Sequence, residues 1–532
     1  VVTILDQYGK PLRAEKPRQV AQRQRADGPG GSGHQSSYDA AETNDGNYRH
    51  WAKADALSAA AANSPAIRKK LRERARYECA NNGNAKGTVE TIAHDTVGTG
   101  PRLQLTIPAT TPEGRPVPPD AARRIERLYG AWCKDRVVNL GEKLRIMSES
   151  ETRDGECFGQ LTTNPKVRGL VQLDFQLVET ECCASPDLLV TDKFSVDGIR
   201  FDSYGNPTEY DFLTEHPGDS TWFSVQEAKP VSADYVVHWF RPNRVGQRRG
   251  VPRITPGLPL LAQLRRYSLA VLSAAEVAAM MAGVMETGLA PDDGGAIEIE
   301  AYDSIPFERG AMLSLPKGWK AQAFKPEQPT TTHGQFKDTC LTEFGRGVHA
   351  PRNVVTGDSS PYNYSSARLD HLIYRGAIRV ERGRLEIAVL NPVFQGWLDE
   401  ALLIPGYLPD NLPPVSEWIW TWQYDGFPAI DPVKDAVAAQ IRLECGLTTY
   451  SQEFAEDGRD WEEVFEQRAR EQVRAEELGL KLLGPAVVPA PMVAPAPAPG
   501  TQPQDEQLDD NGEPIPPPES SDPAKVREAA YV

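Results

Sequence analysis

Residues 238–279 read HWFRPNRVGQRRGVPRITPGLPLLAQLRRYSLAVLSAAEVAA, and the character of the chain changes within them. The start completes YVVHWF, a β-branched and aromatic run that suits a strand. The middle, Gln247-Arg248-Arg249-Gly250, presents two guanidinium groups. These either touch phosphates, whose geometry they match, or sit in a solvated loop before a helix. From Pro259 the pattern is helical. Leu261, Leu264, Val271, Ala275, Ala278 and Ala282 fall close to one stripe, which predicts a helix from Pro259 to Met285. Such a helix spans roughly 40 Å, long for a globular protein. Its many alanines allow neighbouring helices to approach closely. Arg265, Arg266 and Glu276 exclude it as a membrane span.

On the amino-terminal side, residues 156–240 form a β-rich domain of short runs such as ECFGQLTT and LVQLDFQLVE, separated by turns at Asp197-Gly198 and Gly205-Asn206-Pro207. Further back, Ser64-Pro65 caps a helix that reaches about Asn81. Asn82-Gly83 is expected to close it in the left-handed conformation, with a second helix over Asn84–His94. Residues 1–47 show no apolar period and read as a flexible arm with no signal peptide.

On the carboxyl-terminal side, residues 287–330 are an insert with strand-like pieces AIEIEAY and MLSLP, and a helix over Thr332–Gly345 follows. Pro351–Ser365 is a polar loop of about 15 residues, a length at which structureless loops are usually functional. The helical stretch Ala367–Leu403 should bend at Gly376, Gly383 and Asn391-Pro392. In SEWIWTWQY the tryptophans at 418, 420 and 422 alternate, as on one packed face of a strand. Asp431-Pro432 opens a helix closed by Gly446, and an Asp460/Glu463 capping box opens another that reaches Gly484. Residues 485–532 hold 12 of the 45 prolines and should be extended. The fold class is therefore mixed α+β and helix-dominated, in several domains.

Composition narrows the function. Fifty-eight basic against 74 acidic residues give a net charge of −16, the wrong sign for a protein that wraps or grips DNA. A surface past which DNA slides is compatible with it. Seven scattered cysteines without C-x-x-C signal neither zinc nor a disulfide framework, as in a reducing cytoplasm. No nucleotide-binding loop, H-E-x-x-H, G-x-S-x-G or EF-hand loop is present, so no catalytic residue, metal ligand or cofactor is assigned.

Four separated segments resemble the portal proteins of lambda-type tailed bacteriophages. They are LRERARYECANNGNAKGTVETIAHDTVGTGPRLQL at 71–105, the opening stretch at 238–279 with H-x-x-R-P-x-R-x-G-Q-x-R-G-x-P, VHAPRNVVTGDSSPYNYSSARLDHL at 348–372, and IDPVKDAVAAQIRLECGLTTYSQEFAEDGRDWEEVFEQRARE at 430–471.

The resemblance implies a non-enzymatic ring subunit, twelvefold in the virion, that conducts double-stranded DNA at one capsid vertex and is assembled in the host cytoplasm. It further implies partners: the terminase large subunit, then a head-tail adaptor, the major capsid protein and other copies of itself, with no membrane and no cofactor. Wing (48–258, 405–430), stem (259–286, 331–346), clip (287–330), tunnel loop (347–366), tunnel helix (367–404) and crown (431–484) follow in chain order. On this basis Arg352, Asn353, Gly357, Asp358, Ser359, Ser360, Tyr362 and Asn363 are the expected channel residues. Leu264, Val271, Ala275, Ala278 and Ala282 are the expected subunit contacts. The rival readings are a DNA-processing enzyme of the packaging apparatus, which needs clustered acidic ligands or a nucleotide loop, and a minor capsid or scaffold component.

Overall fold

A computed structural model describes residues 49–185, 194–219, 227–280, 284–287, 319–322, 332–428 and 431–480. The N-terminal arm, the proline-rich tail, AIEIEAY, MLSLP and Ala282 lie outside the described residues.

In chain order, α1 (Ala59–Ala62), α2 (Pro65–Asn81) and α3 (Gly83–Val97) come first, then β1 (Arg102–Thr106), α4 (Ala121–Cys133) and α5 (Leu140–Asp154). The strands β2 (Glu156–Thr163), β3 (Leu173–Val178), β4 (Ser195–Val196), β5 (Ile199–Phe201), β6 (Pro207–Leu213), β7 (Ala228–Ser232) and β8 (Val236–Phe240) follow. Next are α6 (Leu258–Met280), β9 (Val284–Thr287), β10 (Trp319–Gln322), α7 (Thr332–Gly347), α8 (Arg352–Thr356), α9 (Tyr364–Leu385) and α10 (Asn391–Leu403). The last elements are β11 (Ile419–Gln423), α11 (Pro432–Glu444), α12 (Tyr450–Glu456) and α13 (Trp461–Glu477). The expected mixed, helix-dominated architecture is present.

Two compact units divide this chain. The first takes the described residues up to Thr96, Ile146–Pro165 and Leu173–Leu398. Here β2 pairs antiparallel with β3 on one side and β8 on the other, and β4-β5-β6-β7 form a separate antiparallel sheet. Between the sheets Phe158, Cys183, Ile199, Tyr210 and Phe212 make a buried cluster, with Phe158 edge-on to Tyr210 and Phe212. In the second unit β1 pairs with β11 in the register Leu103↔Trp422 and Leu105↔Trp420. Tyr129 of α4 lies edge-on to Trp422, and Trp418 is buried, so the alternating tryptophans do pack on one face.

Several boundaries differ from the sequence reading. Asn82 is extended rather than left-handed, and its Oδ1 accepts from the amides of Asn84 and Ala85, so it caps α3 instead of closing α2. The long helix stops at Met280, and Met285 belongs to β9, which pairs with β10. Gly376 and Gly383 pass through α9 without breaking it. The irregularity is instead a π turn over Glu386–Leu390. Pro392 has no amide proton and its ring crowds the carbonyl four residues earlier, and the wider turn relieves both problems. The last helix ends at Glu477 rather than near Gly484, because the left-handed Gly479, five residues before Gly484, already supplies the stop. Asp460 caps it by accepting from the Glu462 amide.

Candidate functional site

The second arginine of the Arg-rich turn is neither free to meet a phosphate nor in a solvated loop. Arg249 is only 1% exposed, with its guanidinium spread over the Glu156 carboxylate at 2.8–3.0 Å. It also donates to the carbonyls of Cys183 and Asp197. Glu156, fully buried at the start of β2, additionally accepts from the Gly250 amide at 2.8 Å and faces His238 Nε2 at 3.0 Å. Burial works against ionising Glu156, but Arg249 and His238 outweigh it and hold the carboxyl far below the usual range. Around this pair, Arg68 meets Asp197, and Arg72 lies 3.0 Å from Glu181 and 3.7 Å from Glu156. Burial, with Arg249 nearby, lowers the Arg68 guanidinium to about 10. A side chain on Gly250 would strike the Gly155 carbonyl, so the two backbones touch beside the pair. Arg248 donates to the Gly205 carbonyl and lies over the Phe201 ring at 4.5 Å. The motif is thus a structural clamp that ties α2, β2 and the turn after β8 together.

Among the described residues, one cluster has the composition of a metal site: Glu179, Glu181 and His216 bring ligand atoms within 4.8 Å of one another. Its hydrogen bonding does not fit an ion. His216 Nδ1 accepts from the Gly218 amide at 3.0 Å, so the ring proton sits on Nε2, 2.9 Å from Glu179. Ligation at Nε2 requires the proton at Nδ1 instead, where the neighbouring group is itself a donor. Glu181 is already shared by Arg72 and Arg76. The cluster is an ion-pair group.

The expected polar loop is partly helical. Pro351 starts α8 and Gly357, left-handed at φ +69°, ends it, leaving only the residues from Gly357 to Asn363 outside helices. Three devices fix its base. Arg253 donates from Nη2 to the Val348 carbonyl at 2.9 Å, while its amide donates to Thr152, which joins the α7–α8 corner to the end of α5. Arg352 pairs with Asp338 of α7 at 2.8 Å, and Asn353 Nδ2 donates to His371 Nε2 of α9 at 2.8 Å. Gly345 permits close packing, since a Cβ there would fall 2.6 Å from the Ala350 carbonyl. Burial, followed by Arg375, lowers the His371 pKa and keeps it the neutral acceptor this contact needs.

Above this base, Gly357, Asp358, Ser359, Ser360 and Asn363 are exposed, and Tyr362 is half-buried. The Ser360 amide donates to Asp358 Oδ1 at 2.8 Å and holds that carboxyl below its ordinary pKa. Asn363 and Ser366 form a reciprocal capping box that starts α9. Of the expected channel residues, then, Arg352 and Asn353 anchor the loop while the others form its tip. Of the expected contact residues on α6, Leu264 is buried within its own unit and Val271 and Ala275 are half-buried.

The sequence profile described as phage portal protein, lambda family, matches residues 46–382, which include α6, α7 and the whole loop. The chain belongs to the lambda family of phage portal proteins. It is 24% identical over 433 residues to the probable portal protein of Halomonas phage phiHAP-1, covering 77% of this chain and 81% of that one. Portal protein B of Escherichia phage lambda is 22% identical over 360 residues, covering 62% and 67%. Among solved structures, a chain from the neck of an empty GTA particle, computed with C6 symmetry, aligns with 72% of this chain and 92% of its own at TM-score 0.46 and 15% identity. As a member of the portal family, the chain functions as a phage portal protein of the virion.

The anchors Glu156, Asp197, Arg253 and Asp338 were not legible as site residues. Glu156 offers the one local signal, an acidic residue opening the strand-like run ECFGQLTT.

Proposed function

We propose that this portal protein forms a closed ring, twelve copies in the virion, at a single capsid vertex, and that double-stranded DNA passes through it during packaging and ejection. The observation that carries the channel assignment is the loop: an exposed polar tip, residues 357–363, on a base locked to α5, α7 and α9. A tip of hydroxyls, amides and a carboxylate meets phosphates weakly, and the one guanidinium of the loop, Arg352 in its base, is held back by Asp338. With a net charge of −16, DNA slides rather than adheres. In this reading α6 and α7 are the stem, the residues between them the clip, α9 the tunnel helix and α11–α13 the crown. The half-buried face of α6, Val271 and Ala275 with Ala278 and Ala282 in sequence line, contributes to subunit contacts. The clip meets the terminase large subunit and then a head-tail adaptor, the wing meets the major capsid protein, and assembly takes place in the host cytoplasm. The chain hydrolyses no nucleotide and cuts no DNA.

Deleting residues 357–362 tests the channel assignment, because the anchors at Arg352 and Asn353 and the cap at Asn363 stay in place. Rings should form at wild-type yield while packaging of full-length DNA fails. Normal packaging by such rings places the constriction elsewhere.

A further inference from the structure

The tunnel helix carries an exposed apolar seam. Leu369, Leu372, Ile373 and Val380 of α9 are each 56–64% exposed, and Ile387 in the following π turn is 75% exposed. They recur at helical spacing along one side, with Gly376 in the same line. Nothing lies within 4 Å of where a Cβ on Gly376 would be. A glycine inside a helix costs about 1 kcal/mol relative to alanine, which is not recovered by any contact in this unit. A continuous apolar stripe with a groove at its middle is a surface that another helix covers.

A second exposed apolar face in the same unit has the complementary character. Leu269 and Leu272 of α6 are 59% and 57% exposed, and Glu276 stands beside them one turn on. Glu276 has no partner among the described groups. Arg379, exposed at the edge of the α9 seam, likewise has none among the described groups. Two unlike apolar faces flanked by charges of opposite sign, neither partnered among the described residues, are what a heterologous, head-to-tail contact needs.

We propose that the α9 seam is covered by a second copy of this chain, through the Leu269/Leu272 face of its α6, with Arg379 set against Glu276 at the rim. The inference rests on the ring proposed above and assigns one of its joints. The close approach is at Gly376, and the joint couples the helix that begins at the loop to the neighbouring subunit. Movement of one loop is then felt by the next subunit.

The test uses the full chain with Ile373→Asp, and separately with Leu272→Cys and Ile373→Cys together. The aspartate should raise the concentration at which rings form by more than about a hundredfold, because a carboxylate would be buried unpaired at every joint. Its far-UV circular dichroism and melting as a monomer should match wild type, since the side chain is exposed within the subunit. Under mild oxidation the double-cysteine chain should give a ladder of covalent multimers that neither single-cysteine chain gives. Ring formation by Ile373→Asp at wild-type concentration overturns the proposal, as does cross-linking confined to a single chain, which would show the seam covered by the chain's own residues. A wild-type chain that makes no ring overturns the ring itself and this joint with it.

Discussion

Replacing Arg249 separates a structural arginine from a DNA-contacting one. In Arg249→Met the side-chain volume is largely kept, but the guanidinium that spans Glu156 at 2.8–3.0 Å and donates to the Cys183 and Asp197 carbonyls is lost. Glu156 then stays fully buried with His238 and the Gly250 amide as its main remaining support. Removing one partner of a buried pair typically costs about 3–5 kcal/mol, most of it the penalty for the charge left behind. Arg249→Lys should fall between this and wild type, because one ammonium cannot reach Glu156 and both carbonyls together. The pair Arg249→Met with Glu156→Gln should cost less than the sum of its single changes by about 1–3 kcal/mol, since neither partner is left as an isolated ion. Urea unfolding of the full chain near pH 7.5, followed by tryptophan fluorescence and circular dichroism, measures all four. The reasoning fails if Arg249→Met unfolds within about 0.5 kcal/mol of wild type, the scatter of an ordinary surface change. It also fails if the substitution weakens DNA retention while stability is unchanged, which would return Arg249 to the phosphates.

Two further predictions concern burial and packing. Glu151 is buried and burial raises its carboxyl to about 7, so the folded chain binds a proton there that the unfolded chain has released. Its contribution is fully present below about pH 4.5 and is lost as pH rises through 7; Glu151→Gln should therefore stabilise the chain by a few kcal/mol at pH 8 and by little at pH 4.5, and equal gains at both pH values would refute this. Ala275→Leu adds bulk on the half-buried face of α6 at a cost of about 1–3 kcal/mol per contact, and rings of this variant forming at wild-type yield would remove that face from the subunit contacts.

What could be read from the sequence was local. The Ser64-Pro65 start, the Asp431-Pro432 start and the alternating tryptophans are each set by neighbours a few residues away; each forms where expected, although the Ser64 hydroxyl makes no capping hydrogen bond and only Asp431 caps with its side chain. Features fixed across the chain were illegible. Arg249 looks like a surface charge until Glu156, 93 residues earlier, is placed beside it. The base of the loop depends on Arg253 reaching Val348 and on His371 reaching back to Asn353, neither of which leaves a spacing pattern. Pro351 and Gly357 are an ordinary helix start and stop, but five residues between them are too few for a periodic signal. The α9 seam leaves no signal in the sequence for a related reason: its residues suit a core, and only the folded chain leaves them outside.

The measurement that bears most directly on the whole account is an electron micrograph of the purified full chain. The account predicts closed rings with an axial hole, and for twelve copies of a 58.5 kDa chain a mass of roughly 700 kDa. A population of monomers or dimers, or of assemblies without a hole, would contradict it.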